Sequence, residues 1–146
     1  MTVDVVLDAA AFDFLDVAGG RGLRALLRRT VERGGGVSCA AVTLAEVCRG
    51  TARTRRVEAG LARDRGGQRI RVMPTDERLA KLVGTILYST GSDTDRLADA
   101  HVVAVCAGSD AAVVVTSDPG DIVALSSAVP GTRVLARTPS SLQTSS

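Results

Sequence analysis

Two apolar runs constrain this fold more than anything else in the chain. Residues 3–7, VDVVL, and residues 113–116, VVVT, are short, rich in β-branched side chains and nearly continuous. A strand with one wet face alternates apolar and polar residues. A continuous run is buried on both faces, as in a parallel sheet covered by helices. Each run leads into an aspartate: Asp8 closes VDVVLD and Asp118 closes VVVTSD. A carboxylate at the rim of a dry sheet is costly unless something binds it.

The rest of the sequence supplies the covering helices. Residues 9–16 read as a short helix. Residues 21–33 read as an arginine-rich amphipathic helix with Leu23, Leu26, Leu27 and Val31 along one side, ended by Gly34, Gly35 and Gly36. A second strand is expected at 37–41. A helix from Thr43 breaks at Arg49-Gly50, and a basic helix continues to about Arg65. Residues 70–73 form a third strand, stopped by Pro74, and Thr75 opens a helix with Leu79, Leu82, Val83 and Ile86 on one face. A loop at 91–94 precedes a helix over 95–107. The fourth strand, 113–116, turns at Asp118-Pro119-Gly120 into a short helix at 121–127, and 133–136 is the fifth strand. The expected architecture is one α/β domain over 1–137, with a mainly parallel five-stranded sheet covered by helices on both faces. A polar, frayed tail is expected over 138–146.

In open parallel sheets, ligands bind beyond the carboxyl ends of the strands. Asp8 and Asp118 stand there directly. Glu46, early in the helix that follows the second strand, belongs near Asp8. Asp99, in DRLADAHVVAVC, shares a helix face with Asp95, Val102, Val103 and Cys106, so it needs a partner. Carboxylates grouped around one pocket repel one another, and one takes a proton unless a cation is present. Hard oxygen donors suit Mg²⁺ or Mn²⁺. Such ions support phosphodiester hydrolysis. Plainer readings exist beside these. Thr43-Leu44-Ala45-Glu46 also matches a capping box, as does the stretch from Ser92 to Asp95. Asp118 before Pro119-Gly120 is equally a turn residue. Asp13 and Asp16 are expected in solvent. His101, the single histidine, points to a different side of its helix from Asp99 and is either structural or a substrate contact.

Composition narrows the class. The 146 residues suffice for one domain with a real core. A hydrophobic fraction of 45% excludes a disordered chain. No apolar run is long enough to span a membrane, and MTVDVVLDAA lacks the basic start of a secretory signal. Cys39, Cys48 and Cys106 form no CxxC pair, so they read as small buried hydrophobes of a cytoplasmic, reducing environment. The net charge of +2 is unevenly spread. Arg49, Arg53, Arg55, Arg56, Arg63, Arg65, Arg69 and Arg71 are opposed within their stretch only by Glu58 and Asp64. Such an excess suits a polyanion or a solvated face. Lys81, the sole lysine, lies mid-helix far from the acids, which disfavours an aspartyl-phosphate chemistry dependent on a nearby lysine. With Phe12, Phe14 and Tyr88 as the aromatics, base stacking is a poor means of recognition.

VVLDAAAF, VTLAEVCRG, DRLADAHVVAVC and VVVTSDPGDI, in that order, resemble the PIN domain, and within it the VapC-type toxins of bacterial toxin–antitoxin pairs. The resemblance runs from about residue 3 to residue 136. It implies a sheet of order 3-2-1-4-5 and metal-binding, catalytic acids at Asp8, Glu46, Asp99 and Asp118, with Asp121 as an accessory acid. It further implies Mg²⁺- or Mn²⁺-dependent endoribonuclease activity on RNA, a cognate antitoxin that inserts a segment into the acidic groove, and a homodimer. The Arg49–Arg71 stretch would hold RNA, or contact the antitoxin or a second copy. One departure stands out: where the family often has a small hydroxyl residue two positions after the first aspartate, this chain has Ala10. The alternative reading is a non-catalytic PIN-like module that binds RNA or regulates.

Overall fold

A computed structural model describes residues 2–144. The β-branched runs form the middle of a five-stranded parallel sheet. Its strands are β1 (Val3–Leu7), β2 (Val37–Ala40), β3 (Arg71–Met73), β4 (Ala111–Val115) and β5 (Arg133–Arg137), in the spatial order β3-β2-β1-β4-β5. β1 pairs with β4 along its whole length, Val3 opposite Ala111 through Leu7 opposite Val115. The order 3-2-1-4-5 and the parallel pairing agree with the expectation.

Alternation along β1 and β4 feeds two cores. Val5, Leu7 and Val115 face one side and pack with Leu23 and Leu27 of α1 (Arg21–Glu32), together with Ala11 and Leu15. Val6, Ala112 and Val114 face the other and pack under α4 (Glu77–Ser89), α5 (Leu97–Cys106) and α6 (Pro119–Ser126). A side-chain period of two along each strand thus explains why these runs carry no polar gap. Asp4 is the exception inside the first run. It lies at the opposite edge from Asp8, where its carboxylate accepts from Gly36 N–H and from the Ser109 hydroxyl, tying two loops to β1.

Local signals act as expected at several ends. Gly34 terminates the loop side of α1 with φ 86°, and Gly50, also at φ 86°, separates α2 (Ala41–Val47) from α3 (Thr51–Ala62). Asp76 caps α4 by accepting from Leu79 N–H at 2.8 Å. Differences are instructive. Residues Ala9–Asp13 make a 3-10 turn capped by Asp8, in place of a longer helix. The basic helix ends at Ala62, and the helix bearing Asp99 starts at Leu97 after a separate 3-10 turn, Thr94–Arg96. Neither capping box forms. α2 begins at Ala41, so Thr43 is inside the helix, and Asp95 caps nothing. Beyond β5, Ser140–Thr144 form a 3-10 turn, and Leu142, the one large apolar residue of that segment, packs against the Leu23–Leu27 side of the sheet. Residues 145–146 of the expected tail lie outside the described residues.

Candidate active site

The carboxyl edge of the sheet gathers the acids. Asp8 continues directly from β1, and its N–H still donates to Val115 O, so the ladder with β4 holds its backbone in place. Only 7% of Asp8 is exposed. Both of its oxygens are engaged: Oδ1 accepts from Ala9 N–H at 2.8 Å and Oδ2 from the Thr116 hydroxyl at 2.7 Å. Thr116, fully buried just past β4, also accepts from Asp118 N–H at 3.1 Å. One hydroxyl therefore fixes the carboxylate of Asp8 and the backbone of Asp118 together. Thr116 stands outside the four acids named from the sequence, where its signal is the hydroxyl two places before Asp118 in the TSD element that the PIN resemblance includes.

Asp118 is exposed at the start of α6, and Glu46 is exposed in the last turn of α2. The expectation of Glu46 in a first turn is therefore corrected: α2 starts before Thr43 and is only seven residues long, so it ends close to where Glu46 stands. Glu46 still lies in the field of Asp8 and Asp99. Partial burial and then these two neighbours raise its carboxyl above the ordinary range, against the opposing pull of Arg49. Asp99, in the first turn of α5, is 21% exposed. Burial, then Asp8, Asp121 and Asp118, push its carboxyl up to about 6, although Arg96 acts against them. Asp8, Glu46, Asp99 and Asp118 thus belong to one electrostatic cluster, and Asp121 joins it at its outer side.

Arg96 touches that outer side. Its Nη1 contacts Asp121 Oδ2 and lies 4.0 Å from Asp99 Oδ2. The hydrogen bond holds the Asp121 carboxyl below its usual range. His101 is buried, and its Nδ1 bonds Leu97 O at 2.8 Å within α5, which supports the structural alternative. Asp13 and Asp16 are exposed, as expected, and there they pair with Arg53 at 2.9 Å and Arg63 at 3.2 Å, so part of the basic stretch fastens α3 to the segment after Asp8. The three cysteines form no disulfide, and burial raises the Cys39 thiol to about 11 and the Cys106 thiol to about 12, which makes those two poor nucleophiles.

The donor set is all oxygen, the chemistry that a hard divalent ion takes, and Glu46 and Asp118 are open to solvent. The shared repulsion that raises Asp99 and Glu46 is the repulsion a cation relieves. Among the described residues, no three aspartate, glutamate, histidine or cysteine side chains stand close enough together to hold a metal ion as they are placed.

Comparison with known proteins identifies the frame. The sequence matches the PIN domain over residues 5–123. This chain belongs to the PIN domain family. PIN domains are generally nucleases, and hydrolysis is the chemistry expected of the acidic edge. Among solved structures, a chain from the structure of FitAB bound to an IR36 DNA fragment is similar, with a TM-score of 0.58 and 21% identity. The match covers 92% of this chain and 94% of that one, so the shared fold spans the whole PIN domain. No curated protein matches. Among the described residues no helix is long and apolar enough to cross a membrane.

Proposed function

We propose that this PIN domain is a divalent-metal-dependent endoribonuclease and acts as the VapC-type toxin of a toxin–antitoxin pair. The observation that supports this most is the meeting of acids at the carboxyl edge of the sheet: Asp8 follows β1, Thr116 ties it to Asp118 at the start of α6, and Asp99 stands in the first turn of α5 within the field of both. Asp8, Asp99 and Asp118 would hold Mg²⁺ or Mn²⁺, with Glu46 completing the site or orienting the attacking water. When bound, the ion neutralises the phosphodiester and lowers the pKa of a water to that of a usable nucleophile.

The chain's own residues do the remaining work. Thr116 keeps Asp8 and Asp118 in register, so the site is preorganised by the β1–β4 pair. The uncompensated acids repel a bare phosphate backbone, so RNA is held by arginines around them. Arg49 lies beside Glu46, and Arg55 and Arg56 are exposed on α3, whereas Arg71, at the start of β3, belongs to the far edge with Asp4. The antitoxin is expected to insert a segment into the acidic groove, and the toxin is expected to dimerise. The FitAB structure, bound to DNA, accords with a partner chain that brings the fold to DNA.

The test is cleavage of a labelled RNA pool in Mg²⁺ by the wild type and by Asp8→Asn, an isosteric change. Cleavage should fall by more than about a hundredfold, since even outer partners of metal sites cost ~10–100-fold. The same substitution should relieve growth arrest on expression. Undiminished cleavage by a folded Asp8→Asn protein would show that another site is at work.

A further inference from the structure

Arg96 is the one arginine whose ion pairs reach into the acidic cluster among the described residues. It sits on the 3-10 turn that feeds α5, while Asp121 sits in the first turn of α6. The same nitrogen, Nη1, contacts Asp121 and approaches Asp99 to 4.0 Å, so a single cationic group bridges acids from two helices. A divalent ion shared by Asp99 and Asp121 would need that same place. An octahedral ion with oxygens at ~2.0–2.1 Å and a guanidinium cannot both fill it, and their charges repel. A guanidinium also stays charged at any working pH, so its repulsion of a neighbouring cation does not titrate away. Arg49 offers no such bridge. Its Nε is spent on Ala45 O at 3.1 Å.

We propose that Arg96 is a positioning residue that stands in for a second metal ion: it neutralises the Asp99–Asp121 side of the cluster and restricts the site to one divalent ion, held from the Asp8–Asp118 side. This rests on the metal-nuclease reading above. The ion that binds then faces carboxylates already partly compensated from one flank. The Arg96 contact engages Asp121 Oδ2, so Asp121 acts as the anchor of Arg96 and not as a ligand. Asp95, on the same turn, adds to the negative field around the guanidinium and helps to keep it there.

Full-length protein is titrated with Mn²⁺ alone, with stoichiometry read by calorimetry and ion–ion coupling by electron paramagnetic resonance. Wild type should bind one Mn²⁺ per chain with the six-line spectrum of an isolated ion. Arg96→Gln should bind a second and show an exchange-broadened spectrum, and Arg96→Lys, which keeps the charge, should return to one. A coupled pair of ions in the wild type overturns the proposal, whether or not Arg96→Gln folds. So does a folded Arg96→Gln protein that still binds one. No Mn²⁺ bound by the wild type at millimolar concentration would instead overturn the metal-nuclease reading, and this inference with it.

Discussion

Thr43 and Thr116 show how two identical side chains take opposite roles at one edge of a sheet. Thr116 donates to Asp8 and accepts from Asp118, the first bond buried and the second partly so. Thr43 is fully buried, yet its hydroxyl has no partner. A buried hydroxyl left unpaired costs on the order of 1–3 kcal/mol. Thr43→Val is therefore expected to stabilise the fold by about 1 kcal/mol in thermal or urea unfolding. A capping role for Thr43 would make the same change destabilising, so the sign of the shift separates the two. Thr116→Val should do the reverse, lowering stability by about 1–2 kcal/mol and weakening Mn²⁺ binding in calorimetry. Asp4 completes the contrast. Its sequence surroundings resemble those of Asp8, but its bonds go to Gly36 and Ser109 at the far edge. Asp4→Asn is expected to destabilise the domain and to leave Mn²⁺ affinity unchanged.

Among the elements, the turn between Asp8 and α1 carries the most constraint. It must bring Leu15 under the sheet, clasp α3 through Asp13 and Asp16, and still enter α1 without steric conflict. Gly20 makes this possible. A Cβ placed there would lie 1.5 Å from Phe14 O, far inside any allowed contact, and the atom it meets is backbone. Gly20→Ala should therefore shift the whole 14–20 segment and destabilise by about 1–3 kcal/mol or more, measured by urea unfolding. Because that segment follows Asp8, the change should weaken RNA cleavage as well. The helices were legible for a physical reason. Leu23 and Leu27, or Leu79, Val83 and Ile86, recur at the helical period and all are buried. The short elements were less so. Local spacing cannot tell a 3-10 turn at 9–13 from a helix, and it cannot place the start of α2, because Ala41 and Val42 carry no capping signal.

For the molecule as a whole, the acidic edge makes stability depend on pH. The Asp99 carboxyl lies near 6 in the fold, above its ordinary value of 3.8, so the folded state holds a proton that the unfolded state releases. Glu46 shifts in the same direction. Below about pH 4 both states are protonated at Asp99 and its contribution is fully present. Between about pH 4 and 6 the unfolded state releases the proton that the folded state keeps, so stability falls across that window and levels off above it. The metal-free protein should thus melt at a higher temperature at pH 5 than at pH 7.5. Saturating Mn²⁺ should reverse that order, because an ion that binds only the folded state adds stability in proportion to its occupancy. Calorimetric scans at the two pH values, with and without Mn²⁺, check both statements. A metal-free melting temperature that rises over this interval would mean that Asp99 is compensated by another group.

The alternation of short β-branched runs with amphipathic stretches was sufficient to determine a parallel sheet covered on both faces, since burial of each element's apolar side leaves few other packings. The same runs determined that Asp8 and Asp118 stand at one edge, because both follow parallel strands directly. Pairing across long separations lay beyond the sequence. Thr116 reaches Asp8 across 108 positions, and Arg96 meets Asp121 only because α5 and α6 start side by side. Those contacts depend on sheet order and helix placement, which are set by the sum of many weak apolar contacts and not by any local residue pattern. They turn a set of costly carboxylates into an organised site.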